Sequence, residues 1–367
     1  MAEFPDDPTM SCFAESAGVD APTPDAGALL SRWSVAEPAG GPSSGAAADA
    51  GGYVLRRVIG RGGMGEVWEA LQVSLGRVVA VKRARSAAGE DTGGEHRKDS
   101  FRREAAFAAL LEHPNIVPVH DLGRDDAGNL LLAMKLVDGR PWDRLLAEDL
   151  PALAPEELLA KHLPILAATA QAVAFAHAKG VVHRDLKPAQ VMVGAFGEVL
   201  LMDWGLAFFT PEAPLADDAA EAARSLGLTT RETAANPSGT PALMAPEQTG
   251  RDTSRLGPWT DVYLLGGTLY YLLTGTYPHR GRTAMAALHS AARGEIEPPS
   301  RRAPGRPVPP ELEALCLRAL AADPQSRHRD GGGFLAELQD YLTGAGRRRE
   351  SAALAGAAAG APGRAGG

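Results

Sequence analysis

The chain of 367 residues has little cysteine and no long hydrophobic run. Its two cysteines, Cys12 and Cys316, lie far apart and outside any CxxC spacing, which excludes a disulfide framework and a zinc motif and favours a reducing compartment. The longest apolar run, 262–273, contains two glycines and is too short to cross a bilayer. Residues 1–10 are acidic and lack the apolar segment of a signal peptide. We therefore expect a cytoplasmic protein without a membrane partner.

Positive charge is also scarce. The chain has 37 Lys and Arg against 45 Asp and Glu, a formal net charge of −8, which argues against nucleic acid as the main partner. Residues 1–50 carry eight acidic residues and one Arg, and their Ala, Pro, Gly and Ser content predicts a disordered arm over 1–52. Residues 343–367 are rich in Gly, Ala and Arg and predict a disordered tail. The region between them is long enough for two lobes with real cores. The sequence does not indicate an oligomeric state.

The central region changes character half-way along. Short apolar runs bounded by glycine predict strands at 53–59, 66–72, 77–82, 117–123 and 130–136. Residues 86–98 predict a loop, and 101–111 a helix. Later apolar spacing predicts helices at 156–162, 164–179, 261–273, 284–293, 310–321 and 332–342, with a break at Pro164. A small strand-rich lobe, about 53–136, should therefore precede a larger helical lobe, about 137–342, in an α+β fold.

The first candidate site is the glycine-rich run GRGGMGEV at Gly60–Val67. Glycines let backbone amides approach phosphate oxygens without interference from a Cβ atom. A dinucleotide-binding loop would need a helix directly after the glycines, but the sequence continues as a strand from Val67 to Ala70. The run therefore predicts either a strand–loop–strand cover over phosphates or a flexible hairpin turn.

The second candidate is Lys82, which ends the apolar run Val79–Val81. Half of such a strand should be buried, and a buried ammonium group needs a paired carboxylate. Glu104, on the predicted helix 22 residues later, is the natural candidate. The alternative is an exposed lysine at a strand edge.

The third candidate is a polar cluster at 182–190, which lies between a predicted helix and the apolar run Val191–Val193. Asp203 follows another apolar run 18 residues after Asp185 and precedes Gly205. An acid in that position is a plausible ligand for a cation. Each of these motifs, taken alone, could be an ordinary turn.

Taken in order, the motifs resemble those of the eukaryotic-type protein kinases, in particular the bacterial serine/threonine kinases. GRGGMGEV, VAVK, HRDLKPAQ, DWG and Ala245-Pro246-Glu247 match the family's glycine-rich loop, strand lysine, catalytic loop, DFG and APE motifs. The resemblance covers about 53–342 and implies a bilobal protein-kinase fold. It also implies transfer of phosphate from ATP, with Mg²⁺, to protein substrates. HRDLKP and Gly239-Thr240-Pro241 point to Ser/Thr rather than Tyr acceptors.

The resemblance implies a role for each matching residue. Lys82, held by Glu104, would contact the α- and β-phosphates. Asp185 would accept or orient the proton of the substrate hydroxyl, and Lys187 would meet the γ-phosphate. Asp203 and Gln190 would hold Mg²⁺. The residues expected around ATP are Ile59, Gly60, Arg61, Gly62, Gly63, Met64, Gly65, Glu66, Val67, Ala80, Lys82, Met134, Lys135, Val137 and Met192.

Three further roles implied by the resemblance are structural or shape the acceptor site. Glu247 would pair with Arg327. Asp261 would brace the catalytic loop. Thr240 would bond near Asp185 and shape a site for Ser or Thr.

Three positions depart from the family pattern, of which Tyr263, where the family often has Trp, is structural and is expected to have little effect. Gln190 stands where the family has Asn, and its side chain is longer by about 1.5 Å, whereas Mg²⁺ demands near-ideal octahedral geometry. This departure keeps open a pseudokinase that acts as a nucleotide-binding or scaffolding module; a kinase-fold transferase for small molecules is a further alternative. Trp204 replaces the Phe of DFG and is predicted to pack against the small Ala108, which would conserve volume.

A segment of 43 residues separates Asp203 from Glu247 and contains Thr229, Thr230 and Thr233. Arg184 directly precedes Asp185, and a buried arginine there would favour a phosphate partner. In the family, such an arginine orders the loop after a threonine is phosphorylated. We therefore predict autophosphorylation at one or more of the three threonines, with a rise in activity. The alternative is that they are plain loop residues and that Glu232 satisfies Arg184.

Overall fold

The computed structural model describes residues 31–32, 35–36, 52–62, 65–84, 92–210 and 228–344. Its strands are β1 Ser31–Arg32, β2 Val35–Ala36, β3 Tyr53–Gly62, β4 Gly65–Gln72, β5 Arg77–Ala84, β6 Val119–Arg124, β7 Leu130–Met134, β8 Gly139–Pro141, β9 Val181–Val182, β10 Val191–Gly194, β11 Val199–Leu201 and β12 Phe208–Phe209. Its α-helices are α1 Thr92–Leu110, α2 Trp142–Ala152, α3 Pro155–Ala178, α4 Pro258–Thr274, α5 Ala284–Arg293, α6 Pro299–Arg302, α7 Pro310–Ala319 and α8 331–344.

The N-terminal lobe is a sheet of strand order β1-β6-β7-β5-β4-β3-β2. The five inner strands pair antiparallel, and β7, next to the central strand β5, is buried along its whole length. Helix α1 covers one face, where Phe101 and Ala105 share a buried cluster with Ala80 and Leu132. This packing places the C-terminal half of β5 opposite α1.

The two short strands β1 and β2 correct the prediction of a disordered arm over 1–52. Ser31–Arg32 pairs with β6 and Val35–Ala36 pairs with β3, so these four residues form strands. Only two residues separate β1 from β2, yet they lie on opposite edges of the inner sheet. The sheet must therefore be curled strongly enough to bring its two edges close together. The remainder of the arm before Gly52, and residues 345–367 of the predicted tail, lie outside the described residues.

The C-terminal lobe is built around α3 and α4. Helix α4 is buried at most of its positions, and a Cβ atom on its Gly266 would lie 2.7 Å from the Cβ of Ala319 on α7. Glycine therefore allows α4 and α7 to approach closely. Helix α3 is long and apolar enough to span a bilayer by length and composition, but 56% of its most apolar window is buried inside the lobe, as in a core helix.

Two predictions about the helices are wrong. The predicted break at Pro164 is absent, and α3 continues from Pro155 to Ala178. Pro164 removes the hydrogen bond to the carbonyl of Ala160, but Ala160 lies on the exposed face, where water can take the place of that bond. Residues 92–98 belong to α1 rather than to the predicted loop, because the glycines and polar residues there concealed the helical period.

The segment after α1 joins the lobes. Ile116 forms a β-bridge to Leu201, and the Asn115 side chain donates to the carbonyl of Val199 at 2.9 Å. The second connection is the stretch from Met134 to Gly139, between β7 and β8. The predicted two-lobed α+β fold is confirmed.

Candidate active site

An ion pair joins the strand and the helix of the N-terminal lobe. Lys82 Nζ lies 2.6 Å from both Glu104 Oε1 and Oε2, and the two side chains are only 13% and 6% exposed. Burial raises the pKa of the Glu104 carboxyl, while the carboxylates of Glu104 and Asp203 raise the pKa of Lys82 against the opposing effect of its burial. The predicted contact is present, and the exposed-edge alternative for Lys82 is wrong.

The catalytic-loop motif presents three linked side chains. Thr240 Oγ1 donates to Asp185 Oδ1 at 2.8 Å and accepts from Lys187 Nζ at 2.9 Å. Lys187 Nζ also lies 3.1 Å from Asp185 Oδ2. The segment around Thr240 is thereby attached directly to the Asp185 carboxylate, as predicted. A carboxylate held in this way, with a cation beside it, can accept a proton from a hydroxyl group and stabilise negative charge nearby.

Asp261, at the start of α4, braces the loop before Asp185. It is fully buried and accepts from the backbone N–H groups of His183 at 2.7 Å and Arg184 at 2.8 Å, and from His177 Nε2 at 2.9 Å. Burial acts to raise its pKa, but the hydrogen bonds and the nearby histidines lower it overall. These bonds hold Arg184 at φ +72°, a conformation that non-glycine residues rarely adopt.

The candidate metal ligands lie together at the ends of β10 and β11. Gln190 Nε2 donates to Asp203 Oδ2 at 2.9 Å, and Asp203 adopts φ +60°. Burial acts to raise the pKa of Asp203, but Lys82 and His183 lower it overall, so the carboxylate is charged at neutral pH. Coordination of a cation by the Gln190 carbonyl oxygen would replace the hydrogen bond seen here.

This pair fits Mg²⁺ provided that phosphate oxygens complete the shell. Within the described ranges no group of three His, Cys, Asp or Glu side chains forms a metal site. Mg²⁺ is usually bound through one or two carboxylates together with substrate phosphates and water. One charged carboxylate and one amide are therefore enough for a site that exists only when a phosphate ligand is present.

Most of the expected nucleotide-binding residues lie on strands β3, β4, β5 and β7 of the N-terminal lobe. Val67, Ala80 and Met134 belong to one apolar cluster, and Ile59 is 39% exposed beside it. Gly60, Arg61, Gly62, Gly65 and Glu66 lie in the β3–β4 hairpin, whereas Gly63 and Met64 lie outside the described residues. A Cβ atom on Gly65 would lie 2.0 Å from the Arg83 carbonyl oxygen, so only glycine fits there.

The connection between the lobes completes this surface. The backbone N–H of Val137 forms no hydrogen bond within the part of the chain that the structure describes, so it is free for a ligand. Lys135 directs its ammonium toward Glu198 at 3.6 Å, leaving its backbone carbonyl as the group that a ligand could use. Met192 is half-buried in β10 of the C-terminal lobe, where it pairs with Pro141 of β8. The arrangement suits a flat, apolar base.

The predicted pair of Glu247 and Arg327 is confirmed. The guanidinium donates to both carboxylate oxygens, Nη1 to Oε1 at 2.7 Å and Nη2 to Oε2 at 2.9 Å, and both side chains are fully buried. Thr260 donates to Glu247 at 3.0 Å, and the guanidinium lies 4.7 Å from the Tyr263 ring centroid. The pair ties the end of the acceptor segment to α4.

Trp204 lies in the core below the cleft. Its side chain is fully buried in the cluster that also contains Ala108, and its ring centroid is 4.6 Å from that of His183. Its Nε1 has no hydrogen-bond partner among the described residues. The predicted packing of Trp204 with Ala108 is consistent with this cluster and stays a prediction.

Arg184 is buried below the threonine-bearing segment and is surrounded by oxygen atoms. Its Nη2 donates to the Ala235 carbonyl at 2.6 Å and to Asn236 Oδ1 at 3.3 Å. Burial lowers its pKa to about 10. The Glu232 carboxylate lies 3.8 Å from the Arg231 guanidinium instead. The alternative that Glu232 pairs with Arg184 is therefore wrong.

The three candidate threonines occupy a turn that follows β12. The Thr229 carbonyl accepts from the Phe209 amide at 2.9 Å, while the side chains of Thr230 and Thr233 are exposed and lie 3.4 Å apart. Nothing in this geometry blocks access to their hydroxyl groups. Their modification stays a prediction.

Sequence reasoning missed His177. It is buried in the last turn of α3, where its Nε2 contacts Asp261 and its Nδ1 accepts from the Gly331 amide at 3.0 Å. A histidine near a helix C-terminus is common for reasons of the helix dipole alone. The local pattern therefore gave no signal of this bracing within the C-terminal lobe.

Comparisons with known proteins agree with this geometry. The family model described as protein kinase domain matches residues 53–329, about three quarters of the chain. The chain belongs to the protein kinase family. The serine/threonine-protein kinase PknD of Chlamydia caviae is 35% identical over 301 residues, which cover 80% of this kinase and 31% of PknD. A probable serine/threonine-protein kinase of Streptomyces coelicolor is 36% identical over 297 residues, covering 80% of this chain and 40% of that protein. The chain thus spans about a third of the length of these curated relatives.

Proposed function

We propose that the protein is an active serine/threonine protein kinase, which transfers the γ-phosphoryl group of ATP to Ser and Thr hydroxyls of protein substrates. The observation that carries the proposal is the contact of Thr240 with Asp185 and Lys187. It attaches the acceptor segment to the carboxylate that would receive the hydroxyl proton. The matched relatives bear the name serine/threonine-protein kinase, which supports the same reading.

The residues divide the chemistry between them. The substrate oxygen would bond to the γ-phosphorus as the bond to the β–γ bridging oxygen breaks, and the hydroxyl proton would move to Asp185. Lys187 and Lys82 would stabilise the charge on the phosphate oxygens, with Lys82 held in place by Glu104. Mg²⁺, when bound by Asp203 and Gln190, would neutralise further phosphate charge.

Gln190 is the observation that favours the alternative of a pseudokinase. Its hydrogen bond to Asp203 occupies the oxygen that a metal ion would use. Against this alternative stand the intact Lys82–Glu104 pair and the charged Asp203, which a scaffold has no need to keep. The alternative of a kinase-fold transferase for small molecules is disfavoured because Thr240 and the buried Glu247–Arg327 pair hold a peptide-acceptor segment in place.

The deciding experiment is incubation of the protein with γ-labelled ATP and Mg²⁺ in the presence of a generic Ser/Thr protein substrate. The Asp185→Asn variant is the matched control, because it keeps the side-chain shape and removes the proton acceptor. We expect label on the substrate with the parent and at most a small fraction of it with the variant. Nucleotide binding without transfer by the parent would establish the pseudokinase instead.

We also propose autophosphorylation at Thr229, Thr230 or Thr233 as a means of activation. Support comes from the exposed hydroxyls of Thr230 and Thr233 and from Arg184, whose Nε has no partner among the described residues. Mass spectrometry after ATP treatment should detect phosphate on this segment, and replacement of all three by Ala should lower the activity. Absence of phosphate there, or full activity of the triple variant, would reject this switch.

A further inference from the structure

An open pocket of about 600 Å³ lies next to the acceptor segment. Ala242 forms part of its wall and follows Thr240 by two residues, a distance of at most about 7 Å along the chain. The backbone of His279, another lining residue, donates to the Ala242 carbonyl at 3.3 Å. The pocket is therefore fixed to the same segment that contacts Asp185.

The lining of this pocket is basic. It contains His279, Arg280, Arg282 and Arg302 and no acidic residue. Arg302 is already engaged, since it lies 3.2 Å from Glu297 and donates to Thr276 at 3.1 Å. Burial lowers the pKa of His279 to about 4, so His279 adds no charge at neutral pH.

Arg280 and Arg282 are the charges that remain available. Both side chains are exposed, and neither forms an ion pair with any residue of the described ranges. The two arginines stand two residues apart in the lining of one pocket, which concentrates positive charge there. Such a concentration attracts anionic groups and matches the geometry of carboxylates and phosphates.

Local structure fixes how these two arginines are presented. A Cβ atom on the intervening Gly281 would lie 2.3 Å from the Ala287 amide nitrogen, so the loop lies directly on the first turn of α5. Thr283 caps that helix by accepting from the Ala286 amide at 3.2 Å. The backbone between the arginines is thus held against the helix, and both arginine side chains are exposed to solvent.

We propose that Arg280 and Arg282 select substrates that carry Asp, Glu or a phosphorylated residue within about four residues of the acceptor hydroxyl, since an extended peptide advances about 3.3 Å per residue. This inference rests on the proposed kinase function and adds a substrate class to it. The required chemistry is also present in the chain itself: Thr9 follows Asp6 and Asp7, and Thr23 lies between Asp20 and Asp25. An acidic segment of another protein would satisfy the same pocket.

The test uses two synthetic peptides with a single Thr, one with Asp at the neighbouring positions and one with Asn at those positions. For the parent, we expect a KM about tenfold lower for the acidic peptide, with equal kcat and equal KM for ATP, because two ion pairs at an exposed site are worth a few-fold each. The preference should shrink as salt is added, because salt screens exposed charges.

Four variants identify the groups responsible. Arg280→Ala/Arg282→Ala should abolish the preference, Arg280→Glu/Arg282→Glu should reverse it in favour of a Lys-containing peptide, and Arg280→Lys/Arg282→Lys should retain most of it. Arg301→Glu is the matched control, because this exposed arginine lies next to Arg302 on α6 outside the pocket lining. A parent without the preference, or an Ala variant that keeps it, would overturn the proposal.

Peptide binding is measured in parallel by fluorescence anisotropy, so that failure of the two proposals can be told apart. Preferential binding of the acidic peptide without transfer would refute the kinase proposal and leave the selection by Arg280 and Arg282 standing. Equal binding of both peptides would overturn the selection whatever the transfer rate. A third peptide with the sequence of residues 1–30 tests the source of the acidic segment. If this peptide is phosphorylated and the reaction depends on the two arginines, the chain's own arm is the substrate segment. If it is not phosphorylated while the synthetic acidic peptide is, the substrate segment belongs to another protein.

Discussion

Two buried ion pairs, one in each lobe, are built differently. Lys82 and Glu104 have each other as their main partners, lie next to Asp203, and keep 13% and 6% of their side chains exposed toward the cleft. Arg327 and Glu247 are fully enclosed, and further bonds run from the guanidinium to the Ala321 carbonyl at 2.7 Å and from Thr260 to the carboxylate. The first pair is open to a ligand and the second is closed.

The different surroundings of the two pairs predict different effects of breaking them. A closed pair with every hydrogen-bonding position filled is costly to break, because the surviving partner is left buried without compensation. An open pair beside a cleft can exchange its partner for a ligand oxygen or a proton at lower cost. We therefore expect the Glu247–Arg327 pair to determine stability and the Lys82–Glu104 pair to determine activity.

Glu247→Gln breaks the closed pair and should have the largest effect on stability. The substitution keeps the shape but leaves the Arg327 guanidinium buried without a counter-charge, which should lower the free energy of unfolding by about 3–5 kcal/mol. Urea unfolding of the variant and the parent measures the change. Glu232→Gln, at an exposed pair, is the matched control and should change stability by less than about 0.5 kcal/mol. Equal stability of both variants would contradict the expected contrast.

Lys82→Met breaks the open pair and should abolish transfer while leaving the fold intact. Loss of the ammonium removes charge stabilisation from the phosphates, for which we expect a fall in kcat of about 10²-fold or more. Stability should fall by only about 1 kcal/mol, because Met fills the volume of the stem and the Glu104 carboxyl, whose pKa is already raised, can take up a proton. Residual activity above a few per cent would refute the role of Lys82.

Acid should weaken the lobe that holds the closed pair. His279 accepts or donates a hydrogen bond with Tyr263, the ring on which Arg327 lies, and its pKa is about 4 in the folded protein against about 6.5 for an unfolded chain. The unfolded chain therefore binds more protons than the folded chain between these pH values. The contribution of His279 to the free energy of unfolding is full above about pH 6.5 and decreases as the pH falls, by about 3 kcal/mol at pH 4. Urea unfolding from pH 4 to 7.5 should show this slope in the parent and lose it in His279→Gln. Parallel pH profiles of the two proteins would exclude His279 as the cause.

Gln190→Asn tests the candidate metal ligands that lie beside the Lys82–Glu104 pair. The shorter amide should release Asp203 from the hydrogen bond seen here and restore the family's ligand at that position, so activity should stay equal or rise a few-fold, about 1 kcal/mol or less in barrier height. The free Mg²⁺ concentration needed for half-maximal activity should fall in the same variant. A large loss of activity would instead show that the pocket is built around Gln190.

The sequence predicted the two-lobed fold and the principal contacts of the site, because those depend on residues that must meet for physical reasons. A lysine at the end of an apolar strand needed Glu104, and the motif order placed Asp185 and Asp203 together. The predictions that failed depended on context that a local pattern does not contain. Pro164 remains helical because Ala160 faces water, and β1 and β2 form because the curled sheet offers two free edges.

The smallest expected change in stability concerns Trp204, in the core below the Lys82–Glu104 pair. Trp204→Phe removes part of a fully buried indole ring and leaves a void, which should destabilise by about 1–2 kcal/mol. It also removes the Nε1 donor that has no partner among the described residues, and a buried donor left unsatisfied costs about 1–3 kcal/mol. Because the two effects oppose each other, we expect a net loss of about 1 kcal/mol or less, much smaller than for an aromatic side chain in a satisfied core.

A second substitution decides whether Trp204 and Ala108 compensate each other. If they are in contact, Ala108→Val should refill the void, so that Trp204→Phe/Ala108→Val is more stable than Trp204→Phe and reaches the parent level or exceeds it. Ala108→Val alone should be destabilising, since the intact indole leaves no room for the added methyl groups. Urea unfolding of the four proteins gives the coupling energy. Strict additivity would reject the pairing, because residues that share no packing volume have no means of correcting each other, and the substitution of Phe by Trp would then need another explanation.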